Sequence, residues 1–150
     1  MSSQWDLTVL DKHDQLVLVA EVKGRLGIGP EWASQFRRNI FAHGTFPDAP
    51  YFLMAFPDQF YLWTDSPRKQ GVVNPDFTID ATPILRPYLD KSGLTISELS
   101  SYSLEILVAA WIISLTDQDP NSLSGQPDWL INSGLRKALT GGRLTREVLA

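Results

Sequence analysis

Leu16-Val17-Leu18-Val19-Ala20 is apolar at every position, and the chain then turns to Glu21-Val22-Lys23. A strand with one face in water alternates apolar and polar residues, whereas an unbroken apolar run marks a strand covered on both faces. Tyr51–Phe56 is a second run of this kind. Two doubly covered strands call for a sheet with helices packed on it, so the expected fold class is α/β and a helical bundle is excluded.

The remaining elements fit that frame. Trp5–Asp11 reads as a first strand, joined to Leu16–Lys23 by a polar hairpin turn at Lys12-His13-Asp14-Gln15. Gly24, Gly27 and Gly29-Pro30 break the pattern, and Pro30 suits the first turn of a helix over Glu31–His43, with Gly44 ending it. Gln59–Thr64 alternates as a fourth strand. Residues 65–87, rich in Pro, Asp and Gly, read as loop with one short strand at Phe77–Ile79. Ser97–Thr116 is mostly helical, strongest over Tyr102–Leu115, and Asp128 caps a last helix over Trp129–Leu139. The reading is one domain over 1–150, with a core over 5–65 and a helical C-terminal part over 97–140.

Composition removes several chemistries. With no Cys among 150 residues there is no disulfide, zinc ribbon, iron–sulfur cluster or thiol nucleophile, and two His make no His-rich metal site. Asp6 precedes any apolar run, so the N-terminus does not read as a signal peptide, and Leu104–Leu115 is shorter than the roughly 20 residues that span a bilayer. The expected location is cytoplasmic, with no membrane partner. A formal net charge of −4 argues against a general nucleic-acid coat protein. No P-loop, Gly-rich dinucleotide turn or Ser–His–Asp set occurs.

Chemistry concentrates at Asp6, Glu21 and Lys23. Strand side chains alternate faces, so Glu21 and Lys23 project together while Val22 projects the other way. A two-residue loop at His13-Asp14 puts Asp6 opposite Glu21, and directly opposed residues share a face. Two carboxylates and an ammonium then converge. Paired carboxylates repel, and a hard divalent cation relieves them well. Mg²⁺ or Mn²⁺ held by Asp6, Glu21 and the Val22 carbonyl would polarise a phosphoryl oxygen and acidify a bound water, with Lys23 assisting. Glu-x-Lys at a strand end is also a common solvated pair, worth about 0–1 kcal/mol. Here Glu21 follows a buried run, where a charge is costly without a purpose.

This arrangement resembles the PD-(D/E)XK, or restriction-endonuclease-like, nuclease superfamily. Trp5-Asp6 stands for its Pro-Asp element and Glu21-Val22-Lys23 for its (D/E)XK element, over roughly Trp5 to Asp65. The whole-chain pattern is also similar to small cyanobacterial proteins of unassigned role with this core. The resemblance implies a restriction-endonuclease-like core and Mg²⁺- or Mn²⁺-dependent phosphodiester hydrolysis, on DNA rather than RNA. It assigns Asp6, Glu21 and Lys23 to catalysis, and Gln35, on the following helix, to the auxiliary role some branches give a Gln there. Arg37 and Arg38 on that helix read either as phosphate contacts or as an ordinary solvated helix face. Two departures stand out: Trp5 replaces Pro, and only Met1–Gln4 precede the Asp strand, where the family places a helix with an acidic residue. The Tyr102–Leu115 helix is the expected replacement cover, with Glu105 as a substitute ligand. The alternative is a non-catalytic binding or regulatory module of the same fold, a homodimer through its apolar C-terminal helices.

Overall fold

The structure, a computed structural model, describes residues 5–43, 48–117 and 126–145. Among these residues six strands form one mixed sheet: β1 (Leu7–Leu10), β2 (Leu16–Val22), β3 (Tyr51–Ala55), β4 (Gln59–Trp63), β5 (Phe77–Asp80) and β6 (Arg143–Thr145). Their order across the sheet is β5-β4-β3-β2-β1-β6. Only β2 and β3 run parallel; every other neighbouring pair is antiparallel. The two unbroken apolar runs thus lie side by side at the centre, as their composition requires.

Helices cover both faces. The first, α1 (Pro30–Ala42), crosses from β2 to β3 and buries Ala33 and Phe41 against Val19, Phe52, Met54, Tyr61 and Trp63. The opposite face carries α2 (Thr82–Ser92), α3 (Ser101–Asp117), α4 (Asp128–Asn132) and α5 (Leu135–Leu139). There Leu85, Leu104, Val108, Ile112, Leu115 and Leu139 pack on Leu7, Leu18, Ala20, Leu53 and Leu62. The architecture is α/β, with the C-terminal helices supplying one whole layer. Gly44, the expected end of α1, lies outside the described residues.

The sequence reading of the C-terminal half is corrected in three places. The loop reading of 65–87 took in Pro83 and Pro87, yet Thr82–Ser92 is helical. Pro83 sits at the helix start, where its missing N–H costs nothing, while Pro87 is accommodated inside. The last helix is two, because Gly134, at φ 79°, turns the chain between α4 and α5, and Asp128 is its first residue with Pro127 as N-cap. The part after 97 is not purely helical, since β6 pairs with β1 and extends the sheet.

Leu104, Val108, Trp111 and Leu115 of α3 are buried against the sheet as the periodicity predicts, with Leu107 half-buried. Trp111 stacks obliquely on Phe60 at 5.6 Å and on Trp129 at 6.1 Å. Trp111→Ala should therefore lower unfolding free energy by about 3–5 kcal/mol, read from urea unfolding followed by circular dichroism. A loss under about 1 kcal/mol would show that α3 does not hold the layer together.

A candidate two-carboxylate site at the end of β2

The hairpin that sets the site reaches its register by an unexpected route. Asp11 N–H donates to Gln15 C=O at 2.7 Å, so the loop has three residues, Lys12 to Asp14, not two. The Asp11 carboxylate holds this turn by accepting from the N–H groups of His13 (2.8 Å) and Gln15 (3.0 Å), and Asp14 takes a left-handed conformation at φ 62°. That loop alone would displace the pairing by one residue and turn Glu21 to the wrong face. A bulge corrects it: Leu10 faces Leu16, but Val9 faces Leu18, so Val17 is the extra residue. From there Thr8 faces Val19 and Leu7 faces Ala20, the register that brings Asp6 alongside Glu21.

Asp6 itself ends the ladder. It lies one residue before β1, and its Oδ2 accepts the Val22 N–H at 2.8 Å. Glu21 reciprocates, its Oε2 accepting the Asp6 N–H at 3.0 Å. Each carboxylate is thus fixed by the other residue's strand. A strand residue directs its N–H and C=O to the same edge, so the Val22 carbonyl also faces the Asp6 side. Trp5 anchors the segment, packing edge-on against Phe41 at 6.0 Å and Phe52 at 6.1 Å.

The electrostatics are those of a crowded anionic pair. Glu21 is buried, at 8% exposure, and its carboxyl is pushed from the ordinary 4.5 up to about 7. Burial is the main cause and the Asp6 charge the second; the Asp6 N–H and Lys23 pull the other way. Lys23 follows β2 directly, with its N–H bonded to Ala55 C=O at 3.0 Å. Its ammonium lies over the Phe36 ring of α1 at 5.0 Å, on the Glu21 face of the sheet. Asp6, Glu21 and Lys23 therefore gather on one patch.

The other expected site residues do not join it. Gln35 is exposed, about 200° around α1 from buried Arg37, and Phe36 is the residue that meets Lys23. Glu105 is on α3, in the layer across the sheet. Arg37 is a correction of a different kind. It is fully buried, donating from Nη2 to Ser66 C=O (3.1 Å), Ser66 Oγ (3.0 Å) and Lys69 C=O (2.8 Å), so it cannot touch phosphate. Arg38 is exposed and bonded only weakly to Asn39 Oδ1 at 3.3 Å.

Among the described residues no three acidic or His side chains gather into a metal cage, and no helix is long and apolar enough to cross a membrane. The donor set present, two carboxylates and an adjacent carbonyl, suits a hard cation that keeps most of its waters. Comparison of the chain with protein-family models, with curated proteins and with solved structures finds no match.

Proposed function

We propose that the chain is a divalent-metal-dependent phosphodiesterase of the nuclease type, with a restriction-endonuclease-like core, acting on nucleic acid and on DNA in preference to RNA. The observation that carries the reading is the reciprocal pair: Asp6 Oδ2 on the Val22 N–H, Glu21 Oε2 on the Asp6 N–H, with Lys23 on the same face. A buried Glu beside a second carboxylate is costly when ionised, and a hard cation would relieve both once the Glu21 proton is lost. Asp6, Glu21 and the Val22 carbonyl would hold Mg²⁺ or Mn²⁺. Bound there, the ion would supply Lewis acidity toward a phosphoryl oxygen and a more acidic water. Lys23 places a positive charge where negative charge develops on the reacting phosphate.

A second reading keeps the fold without the chemistry: a binding or regulatory module. It is favoured by the gathering of only two carboxylates among the described residues and by the loss of Arg37 as a phosphate contact. A homodimer through exposed Tyr102, Ile106 and Ile113 of α3 belongs to this reading.

The two part company at Lys23. The wild type should cut a mixed set of DNA and RNA substrates with Mg²⁺ or Mn²⁺. Lys23→Ala, prepared identically to control for contaminating nuclease, should lose at least about 100-fold in rate, the scale of removing one charge-stabilising group, while keeping most of its binding. A wild type that cuts nothing with either metal rejects hydrolysis and leaves the module.

A further inference from the structure

We propose that Trp32 and Phe36, together with Arg25, form a stacking platform for one unpaired base beside Lys23, so that the ligand at this patch is single-stranded nucleic acid; this deepens the nuclease reading and takes the ligand class from it. The two aromatic residues are four apart on α1, which puts them on one face. Their rings are stacked, 5.1 Å between centroids and 13° from parallel. Trp32 also stands edge-on against Phe56, a fully buried residue, at 6.2 Å, so the platform has a fixed floor. Yet Trp32 keeps 37% of its surface in water.

An exposed aromatic alone needs no explanation. What surrounds this one does. The Arg25 guanidinium lies over the Trp32 ring at 5.3 Å, and the Lys23 ammonium lies over Phe36 at 5.0 Å while acting electrostatically on Glu21. Lys23 and the Phe36 ring therefore adjoin the carboxylate pair, and Trp32 with Arg25 continues that surface one turn away along α1. The loop that displays Arg25 is held on either side. Gly24 N–H donates to Ser101 Oγ at 2.8 Å, Gly27 N–H to Asp58 Oδ2 at 3.1 Å, and the Tyr61 hydroxyl to Ile28 C=O. Any side chain at Gly24 would collide with the start of α3, its Cβ falling 2.6 Å from Ser101 N. Arg25 and Leu26 are exposed between these ties.

The geometry selects a single strand over a duplex. Bases in a duplex have both faces covered by their neighbours, whereas an unpaired base offers a free π-face. Duplex affinity comes mostly from cations on phosphates, and a chain with 13 basic against 17 acidic residues has few to spend. Stacking adds affinity that net charge does not oppose. An arriving base takes the Trp32 face that Arg25 now covers, and the guanidinium moves to that nucleotide's phosphate.

The test is anisotropy titration, in EDTA so that nothing is cut, of a labelled strand of about 12 nucleotides, one OB-type site in length, as DNA and as RNA, and of the matching duplex. The full chain should bind the single strand about tenfold more tightly than the duplex. Trp32→Ala should cost about tenfold on the single strand and little on the duplex, and Trp32→Tyr, which keeps a ring, should retain most of the affinity. Arg25→Ala should reduce the salt slope by about one. Equal binding of single strand and duplex, or a single-strand affinity untouched by both Trp32→Ala and Arg25→Ala, overturns the platform. Metal-dependent cleavage that needs Lys23 but ignores Trp32 overturns it too, and leaves hydrolysis standing. Trp32-dependent binding without cleavage does the reverse.

Discussion

Arg37→Ala should lower the unfolding free energy by about 3 kcal/mol, the scale of a large-to-small truncation in a core that also leaves a buried acceptor unpaired, and drop the thermal midpoint by roughly 10 °C. Arg37 is fully buried under α1, its guanidinium 4.6 Å from the Phe41 ring centroid and 5.4 Å from that of Trp63. Burial brings its pKa down to about 10, still well above neutrality, so the group is a buried cation. Its Nη2 ties α1 to the turn at Ser66–Arg68 by way of Ser66 and Lys69. Truncation leaves a cavity between two aromatics and orphans the Lys69 carbonyl, each a recognised cost. Arg37→Met, which refills the volume, should recover a large part of the loss. Arg38→Ala should leave stability within about 0.5 kcal/mol, as at other exposed positions, and on the proposed nuclease reading weaken nucleic-acid binding instead. Thermal melts of the three variants decide it; an Arg37→Ala protein as stable as the wild type would mean the cation is not buried.

The second large effect is pH-dependent. Glu21→Gln should leave stability unchanged below about pH 4.5 and raise it by about 3 kcal/mol above pH 7 in metal-free buffer. The folded chain holds the Glu21 proton up to about 7, whereas the unfolded chain releases it near 4.5. Between those values the folded state binds more protons, so wild-type stability falls as pH rises. At about 1.4 kcal/mol per pH unit the ionised pair costs the wild type about 3 kcal/mol above that window. Gln keeps an acceptor for the Asp6 N–H but carries no charge. Mn²⁺ at pH 8 should return stability to the wild type, about 2.7 kcal/mol at a hundredfold excess over Kd, and give little to Glu21→Gln. Equal Mn²⁺ stabilisation of both proteins would remove Glu21 from the proposed metal site. Flat wild-type stability from pH 4.5 to 8 would remove the charge conflict itself.

The central strands were legible because burial on two faces leaves an unmistakable pattern: Leu16–Ala20 and Tyr51–Phe56 could be little else. The carboxylate pair was legible through side-chain alternation, but only because two local details cancelled. A longer loop held by Asp11 shifts the hairpin by one residue, and the bulge at Val17 shifts it back. Nothing in Val17, one apolar residue among five, announces a bulge. Arg37 was misread because it adjoins Arg38 in sequence, while one helical step of about 100° separates a core position from a solvent one. Its neighbours at helical spacing, Ala33 and Phe41, are the signal that could have found it. α2 hid behind two prolines, and β6 was too short to show a period. The Trp32–Phe36 spacing was visible, but the approach of Arg25 and Lys23 depends on the path of the 23–29 loop, which is fixed by contacts with Asp58 and Ser101 far along the chain.

The pairing of β1 with β6 also has a temporal side. Thr8 meets Thr145 through their hydroxyls, and Leu10 faces Arg143. A ribosome adding about 5–20 residues per second makes β1 on the order of 10 s before the strand that covers its outer edge. Through that interval the row of N–H and C=O groups beside the Asp6–Glu21 patch is an unsatisfied template, open to pairing with a neighbouring nascent chain. The same edge reopens whenever the three residues of β6 fray. β6, the last made of the six described strands, thus covers an edge that would otherwise be open to self-association.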